Sequence, residues 1–394
     1  MLKMISSRYM PMLRENRTPF YFYNMELLQK TLEVVRQAAD SRNYVIHYAV
    51  KANANERILK TIARYGYGAD CVSGNEVKAA ISAGFNPRDI VFAGVGKSDQ
   101  EIDYALRNNI FCFHCESVQE LEVIDRIASI QGKRALIALR VNPNVSANTH
   151  AHITTGTLGN KFGLSPSELE QALELIPSLN NLRLIGFHFH IGSQITSMEV
   201  FEQLAHRVNE LQERFFSNTP MPYLNVGGGL GVNYVNPEER PIPQFEEYFS
   251  AFEKNLKLSP GQRVHFELGR SIVAQCGSLI TKVLYVKGDD SKKFVVVDAG
   301  MTDLLRPALY NAVHKIVNLN SQSITEEYDV VGPICETTDC FARSIQLPET
   351  SRGDLLSILS AGAYGEVMSS RYNLREKPLA VYSSNIKPVA NFIG

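Results

Sequence analysis

The chain has 394 residues, of which 44% are hydrophobic and 21% charged, and its 40 basic and 41 acidic side chains give a net charge of −1. This composition is typical of a globular protein with a large core, and it excludes disorder, collagen or a coiled coil as the main architecture. A nearly neutral chain without a lysine or arginine block gives no electrostatic reason to expect nucleic acid or an anionic membrane as a partner. We therefore expect a small-molecule ligand.

No stretch of the sequence approaches the roughly 20 apolar residues of a membrane span, and the N-terminus lacks the long apolar core of a signal peptide. The six cysteines are few for this length and show no paired framework, as in reduced cytosolic proteins. We therefore expect a cytoplasmic protein. Cys112 and Cys115 form a C-x-x-C, but the alternation around them favours two buried thiols in a strand over a zinc site, which would need a second such pair.

Short β-branched and aromatic runs alternate with longer segments of helical period, beginning with a helix predicted over 25–39 after a possible cap at Asn24. This alternation is typical of an α/β protein. Eight strands are predicted in the first two thirds of the chain, over 44–50, 69–72, 90–93, 110–115, 135–141, 183–190, 223–226 and 264–267. Between them lie helix starts with capping-box spacing, namely Ser73 with Glu76, Ser98 with Glu101, Ser117 with Glu120, and Ser165 with Glu168.

Eight strand–helix units in about 245 residues match a (β/α)8 barrel, whereas a doubly wound sheet has fewer strands and an early G-x-G-x-x-G turn, which this sequence lacks. After Glu267 the pattern changes to strand-like runs, which predict a second, β-rich domain; they cover 278–286, 294–298, 328–331 and 355–359. The apolar segment 19–23 is expected to join that sheet. The predicted domains are a barrel over 23–267 and a discontinuous β-rich domain formed by 1–22 and 268–394.

Reactive residues at the carboxyl ends of the predicted strands are the candidates for catalysis, because barrels of this kind build their active sites there. Lys51 ends the first strand, His190 ends the sixth, three glycines at 227–229 follow the seventh, and Glu267 ends the eighth, followed by Gly269 and Arg270. Taken alone, such a lysine is often a surface residue, and a glycine-rich turn is often a plain connection.

Together these residues favour a cofactor site. The loops after strands seven and eight are the usual phosphate site of the fold. Glycines there expose backbone N–H groups that can bind an anion, and the positive charge of Arg270 can balance the charge of that anion. Pyridoxal phosphate needs three groups from a protein: a lysine amine for a Schiff base, donors for its phosphate, and an acid for its pyridinium nitrogen, which Glu267 can provide.

His188 and His190 face the same side of their strand, because side chains alternate along it. Two histidines so placed raise the question of a metal site, but the sequence shows no clear third ligand. We expect no metal. His190 is instead expected to pack on the cofactor ring, with His188 beneath it in the barrel core.

Several separate motifs in one order resemble those of the fold-type III pyridoxal-phosphate-dependent decarboxylases, over nearly the whole chain. They are Tyr48 to Asn53, His152 to Gly156 with Lys161 to Gly163, His188 to Gln194, the glycine triplet with Leu230 and Gly231, Leu305 to Tyr310, Cys335 to Asp339, and Gly362 to Gly365. The chain departs from the family at Leu268, where proline is common, and at Thr337, where serine is usual. Neither departure removes a reacting group.

The resemblance implies pyridoxal 5′-phosphate as cofactor and a role for each matched residue. Lys51 would bind the cofactor covalently, His190 would stack on its ring, and Glu267 would face the ring nitrogen. Cys335 would protonate the carbon that CO2 leaves. The remaining cofactor contacts would come from Ser193, Gly228, Gly229, Gly269, Arg270 and Tyr364, and the substrate contacts from Arg270, Arg306, Tyr310, Glu336 and Tyr364. For Arg306, a structural ion pair with its neighbour Asp303 is the alternative.

Within the family, the sequence is most similar to members that convert meso-2,6-diaminopimelate to L-lysine and CO2, the last step of lysine biosynthesis. The resemblance also implies a homodimer in which each chain contributes Cys335 and Glu336 to the other's site. The alternatives are decarboxylation of ornithine or of a carboxylated polyamine such as carboxynorspermidine, and a non-catalytic homologue that only binds the cofactor. Arg306 disfavours ornithine, which has no distal carboxylate, and the β-rich domain with Cys335 disfavours the silent homologue.

Overall fold

The computed structural model describes residues 4–145, 161–217, 221–289 and 291–385. They form two compact units, of which the first comprises the described residues of Leu32–Gly231 and Gln244–Arg270. The second comprises those of Met1–Thr31, Val232–Pro243 and Ser271–Gly394. The family motif at 152–156 lies outside the described residues. No helix in the described ranges is long and apolar enough to cross a membrane.

The first unit contains a closed parallel barrel, as the sequence predicted. After β1 (Phe20–Tyr23), the barrel strands are β2 (Val45–Ala49), β3 (Gly68–Cys71), β4 (Ile90–Phe92), β5 (Cys112–Cys115), β6 (Ala135–Arg140), β7 (Leu182–His188), β8 (Tyr223–Asn225) and β9 (Arg263–Leu268). Each strand pairs in parallel with the next, and β9 closes on β2 with Glu267 opposite His47. All eight predicted strands are confirmed, with ends that agree within two residues.

The described residues form the helices α1 (Met10–Glu15), α2 (Met25–Asp40), α3 (Glu56–Ala63), α4 (Gly74–Ala83), α5 (Asp99–Arg107), α6 (Val118–Ile130), α7 (Pro166–Leu175), α8 (Met198–Phe216), α9 (Phe245–Asn255), α10 (Arg270–Val273) and α11 (Arg306–Tyr310). Five of them, α2 and α4 to α7, begin directly after a predicted cap. Asn24 caps α2 by accepting the N–H of Leu27 at 3.1 Å.

Each of the four predicted serine caps accepts a backbone N–H three residues on. Complete capping boxes occur at Ser98 and Ser165 only, because Glu76 accepts the N–H of Val72 and Glu120 that of Glu116. Those two glutamates thus tie the helix start to the end of the preceding strand, one residue before the cap.

The barrel strands are buried on both faces, which explains their nearly continuous apolar sequences. Cys112 and Cys115 are free and buried in β5, as predicted. Gly186 in β7 permits a close approach of β8, since a Cβ there would lie 1.8 Å from the carbonyl oxygen of Tyr223.

The second unit is built on a mixed sheet. Its further strands are β10 (Gly277–Asp289), β11 (Lys292–Val297), β12 (Ile316–Asn318), β13 (Thr325–Val331), β14 (Cys340–Pro348), β15 (Leu355–Ile358) and β16 (Leu379–Tyr382), in the order β12-β15-β10-β11-β13-β14. β1 pairs antiparallel with β10 and parallel with β16. The four predicted runs correspond to β10, β11, β13 and β15. The other three were missed because β12 is short and because β14 and β16 are only partly buried, so none has a continuous apolar pattern.

Candidate active site

The carboxyl ends of the barrel strands carry eight of the predicted site residues. They are Lys51, His190, Ser193, Gly228, Gly229, Glu267, Gly269 and Arg270, all within the first unit. Lys51 lies in a single 3-10 turn, Val50–Ala52, directly after β2. His190 lies two residues beyond the end of β7, so the predicted strand was slightly too long there. Leu268, which stands where the family usually has proline, ends β9 as an ordinary strand residue opposite Tyr48.

Lys51 faces a buried carboxylate that the sequence analysis missed. Its Nζ lies 3.9 Å from Oδ2 of Asp70, which is 1% exposed. Neither carboxylate oxygen of Asp70 has a hydrogen-bond partner among the described residues. Burial, and then the negative charge of Glu267, raise the pKa of Asp70 to about 7. An acid inside the apolar strand β3 was the available signal, because a buried acid without an evident partner is costly.

Glu267 is held in the barrel interior by two side chains. Asn225 Nδ2 donates to its Oε1 at 2.9 Å, and Nε2 of His188 lies 3.2 Å from its Oε2. Burial raises the pKa of Glu267 to about 7, although the positive charges of Lys51 and Arg140 act to lower it. The acid is therefore fixed in orientation, and its charge is sensitive to any cation placed beside it.

A second histidine also approaches Glu267. The ring of His114 stacks on that of His188 with centroids 4.0 Å apart, and its Nδ1 lies 3.3 Å from Oε1 of the acid. Ligand atoms of His114, His188 and Glu267 lie within 4.8 Å of one another, a grouping that differs from the His188 and His190 pair considered from the sequence. The sequence could not show this, since His114 comes from β5, two strands away in the barrel. Both oxygens of Glu267 already face hydrogen-bonding side chains, so the cluster orients a carboxylate.

Arg140 is a further buried charge that the sequence analysis did not single out. It ends β6, and its Nη1 donates to Oε1 of Glu116 at 2.8 Å. The same oxygen accepts the N–H of Gly94, and the other carboxylate oxygen accepts that of Gly163. A charged residue at the carboxyl end of a buried strand was the same signal that identified Lys51.

The glycine triplet forms a turn that larger residues could not form. Gly227 and Gly229 have φ of 72° and 103°, in the left-handed region that favours glycine. A Cβ on Gly228 would lie 1.8 Å from the carbonyl oxygen of Glu267, and one on Gly269 would lie 2.8 Å from Cβ of Ala52. Close packing and left-handed φ therefore require glycine in the loops where this fold binds phosphate.

A buried arginine borders this turn. Arg270, 6% exposed, donates from Nη2 and Nε to Oγ of Ser193 at 2.9 and 3.3 Å. Ser193 and Arg270 come from the loops after β7 and β9, so the donors converge from separate strands. A glycine-rich turn, a hydroxyl and a guanidinium together are the kind of donor set that fits a phosphate group.

His190 lies against the same turn. Its Nδ1 accepts the N–H of Gly228 at 3.4 Å, so the proton of the neutral ring is on Nε2. Desolvation, together with the charges of Lys51 and Arg140, lowers its pKa well below the usual histidine value. A neutral, flat ring in this position fits the stacking role expected from the sequence. With a reactive amine, a buried acid and a phosphate cradle, the residues present fit pyridoxal phosphate.

The other five predicted site residues lie in the second unit. Arg306 begins α11 and is buried, and Tyr310 ends that helix. Cys335 and Glu336 are exposed in the connection between β13 and β14, where the hydroxyl of Tyr372 donates to Glu336 Oε1 at 2.8 Å.

Asp303, the alternative partner of Arg306, is part of a backbone turn. Its Oδ2 accepts the N–H of Gly300 at 2.8 Å. Tyr364 has a φ of 55°, which is unusual for an aromatic residue and is a form of strain found at functional sites. The neighbouring Gly362 leaves no room for a side chain, since a Cβ there would lie 2.0 Å from the carbonyl oxygen of Val273.

Comparisons with known proteins agree with this geometry. The profile of the family described as "Pyridoxal-dependent decarboxylase, pyridoxal binding domain" matches residues 26–274. A diaminopimelate decarboxylase of Bacteroides thetaiotaomicron is 51% identical over 375 residues, covering 95% of this chain and 97% of that protein. One from Aquifex aeolicus is 41% identical and covers 93% of this chain and 87% of its own length. The crystal structure of diaminopimelate decarboxylase from Helicobacter pylori complexed with L-lysine has a TM-score of 0.90 at 39% identity, covering 96% of this chain and 94% of that one.

Proposed function

This chain belongs to the pyridoxal-dependent decarboxylases, and on that premise we propose that it converts meso-2,6-diaminopimelate to L-lysine and CO2. It is a pyridoxal-phosphate-dependent carboxy-lyase of lysine biosynthesis. The observation that carries the proposal is the convergence of Lys51, Glu267 and the glycine turn with Arg270 at one end of the barrel. The close relatives named for this reaction supply the choice of substrate.

The cofactor would be held by the groups described above. Lys51 provides the amine for its covalent attachment, and Ser193, Gly228, Gly229, Gly269, Arg270 and Tyr364 provide its phosphate contacts. Bound pyridoxal phosphate supplies an electron sink for the electron pair left when the carboxylate departs as CO2. His190 would pack its neutral ring on the aromatic face of the cofactor and exclude water from it.

Glu267 would set the charge at the ring nitrogen of the cofactor. A proton shared with that nitrogen is stabilised when the acid is ionised, and Asn225 and His188 hold the acid in place for this contact. A cation beside Glu267 would lower the pKa of the acid and so oppose the effect of burial, which favours its protonated form. Asp70 also faces Lys51, with its Oδ2 3.9 Å from Nζ, so the two groups attract each other when both are charged.

Cys335 returns a proton to the carbon that has lost CO2, and Glu336 receives the distal ammonium of the substrate. We propose that both act across a homodimer, each chain completing the other's site. Their exposure in the single chain supports this, because residues that reach a second subunit must lie on the surface of the first.

Arg306 binds the distal carboxylate of the substrate, with Arg270, Tyr310 and Tyr364 as the further contacts. A guanidinium can bind a carboxylate through two parallel hydrogen bonds, which selects a substrate with a carboxylate at its far end. Ornithine has none, which is why we place diaminopimelate before it.

We also propose that the protein is cytoplasmic. The six cysteines, all within the described residues, are free, and four of them are buried. This suits a reducing compartment.

The substrate assignment is tested by incubating the holoenzyme separately with meso-diaminopimelate, ornithine and carboxynorspermidine and identifying the amine released. Lysine from the first substrate, at a rate far above the other two, is expected, and Lys51→Ala should release none. A faster release of putrescine or norspermidine would replace the proposed substrate. No product from any of them, with the cofactor bound, would favour the non-catalytic homologue.

A further inference from the structure

Arg306 is held by a histidine that has no part in the proposed reaction. The arginine is 5% exposed, and its Nη1 donates a 2.7 Å hydrogen bond to Nε2 of His314, which is 3% exposed. Nδ1 of His314 lies 2.9 Å from the carbonyl oxygen of Leu359. A carbonyl only accepts and a guanidinium only donates, so the imidazole proton is on Nδ1 and the lone pair is on Nε2. The two contacts together specify the neutral ring in one tautomer.

An aromatic ring fixes the plane of the same guanidinium. Cζ of Arg306 lies 4.6 Å from the ring centroid of Tyr234, and that ring meets His314 edge-on, with centroids 4.9 Å apart and planes at 72°. The face of one ring and an acceptor at one edge restrict both the tilt and the rotation of a planar group. A neutral imidazole accepts the hydrogen bond without adding a negative charge. This contact therefore orients the guanidinium without neutralising it.

The backbone next to His314 is held by two hydrogen bonds of Lys315. The N–H of Lys315 donates to the carbonyl oxygen of Tyr234 at 3.1 Å, and the N–H of Leu359 donates to that of Lys315 at 2.8 Å. The residues that contact Arg306 are thus joined by main-chain hydrogen bonds as well as by side chains. A binding group supported in this way is held rigidly enough to define a direction.

We propose that His314 is a positioning residue for substrate selection, which turns the guanidinium of Arg306 toward the carboxylate that remains in L-lysine. This inference rests on the proposed role of Arg306 in binding that carboxylate. His314 could not be identified from the sequence, because a lone histidine eight residues beyond an arginine indicates no contact until β12 and β15 bring it beside Leu359.

Two substitutions separate the two hydrogen bonds of His314. Asparagine places an amide nitrogen near the position of Nδ1, so His314→Asn keeps the donor to Leu359 and loses the acceptor for Arg306. Glutamine reaches the position of Nε2, so His314→Gln restores an acceptor for Arg306. Neither substitution removes both contacts, and thermal melting of each holoenzyme measures the structural cost separately.

The probes are two inhibitors that differ by one carboxylate. Inhibition constants of L-lysine and cadaverine against meso-diaminopimelate turnover are measured for each variant, and their ratio reports recognition of the carboxylate alone. We expect His314→Asn to reduce the preference for L-lysine by about 10-fold, the usual effect of one hydrogen bond to a charged group, and His314→Gln to reduce it much less. The constant for cadaverine should not change.

Arg306→Ala sets the scale and separates the two proposals. If it abolishes the preference for L-lysine while His314→Asn leaves the preference intact, His314 is only structural and the positioning role is overturned. Equal losses in the asparagine and glutamine variants would overturn it as well. If Arg306→Ala itself leaves the preference unchanged, Arg306 does not bind the carboxylate, and both the inference and that part of the proposed function fail.

Discussion

Asn225 joins the buried acid of the barrel to the glycine turn that follows it. Its Nδ2 donates to Oε1 of Glu267 at 2.9 Å, while its Oδ1 accepts the N–H of Gly227 at 2.8 Å. One amide therefore fixes the group expected at the cofactor's ring nitrogen and the start of the loop expected at its phosphate. Asn225 thus links the two ends of the proposed cofactor site directly.

Replacing Asn225 by alanine should weaken cofactor binding from both ends. Loss of a hydrogen bond to a charged group typically costs 1.5–3 kcal/mol, so we expect the Kd for pyridoxal phosphate to rise at least about 10-fold. Absorbance titration of the cofactor-free protein measures this directly. Asn180→Ala, at an exposed position in the same unit, is the matched control. Unchanged cofactor affinity in Asn225→Ala would show that Glu267 and the turn hold their positions without it.

Asp70 should make the stability of the cofactor-free protein depend on pH. Its pKa is raised from 3.8 to about 7 in the folded chain, so between these values the unfolded chain releases a proton that the folded chain keeps. Raising the pH through this range therefore favours unfolding. Asp70→Asn lacks this proton, so the Tm of wild type minus that of the variant should fall steadily from pH 4 to pH 7.

Contributions from the buried histidines are common to both proteins and cancel in this difference. Glu122→Gln, an exposed change in α6, provides the control, and its Tm difference from wild type should stay nearly constant. A Tm difference for Asp70→Asn that is equally flat would mean that Asp70 titrates normally in the folded chain.

Strand register explains which residues of the candidate site could be predicted from the sequence and which could not. Lys51 and Glu267 were found because each ends an apolar run whose neighbours identify it as a barrel strand. Asp70 was missed, although the β2–β3 pairing places it opposite Ala49, two residues from Lys51. Which residue faces which across adjacent strands depends on the stagger of the barrel, and a single sequence does not specify that stagger.

The same reason applies to the residues that orient the site. Asn225 and His114 contact Glu267, which lies 42 and 153 positions further along the chain, and His314 contacts Arg306, 8 positions before it. The three residues make these contacts only after the sheets have formed. Their residue types are unremarkable in sequence, since a buried histidine is often only a core residue. The residues proposed to react could thus be singled out from the sequence, whereas most of the residues that orient them could not.

Cys335 should be essential for proton return but not for cofactor binding. Cys335→Ala is expected to keep the absorbance of the bound cofactor and to lose 10²–10⁴-fold in product formation, the usual contribution of a general acid. Cys340→Ala, in the adjacent strand β14, is the control and should remain active. Loss of cofactor absorbance in Cys335→Ala would assign the thiol to binding.

Mixed subunits test whether the site is shared. Cys335→Ala chains retain Lys51 and Lys51→Ala chains retain Cys335, so a heterodimer would contain one complete site, and random exchange should restore about a quarter of wild-type activity. Differently tagged chains allow the heterodimer to be isolated. An inactive heterodimer would indicate that each site is built within one chain.

Arg306 should determine selectivity for a distal carboxylate. Truncation to alanine leaves that carboxylate unpaired in a desolvated site, at a cost of about 2–5 kcal/mol, or roughly 30-fold or more in kcat/KM for meso-diaminopimelate. Arg306→Lys should also be impaired, because an ammonium cannot reproduce the planar fork. Turnover of D-lysine, which lacks the distal carboxylate, should change little.

Arg352→Ala is the matched control for this experiment, since Arg352 also lies over a tyrosine ring in the second unit but is exposed. It should leave both substrates unaffected. Parallel losses on meso-diaminopimelate and D-lysine in Arg306→Ala would show that the arginine supports the site in general.

The configuration of the lysine formed from meso-diaminopimelate tests the central claim most directly. The substrate has one D and one L centre, so removal of CO2 from the D centre gives L-lysine and removal from the L centre gives D-lysine. Chiral analysis of the product, with CO2 measured in parallel, should find L-lysine alone and one CO2 for each molecule. D-lysine, a mixture of the two enantiomers, or CO2 release without lysine would contradict the proposed reaction.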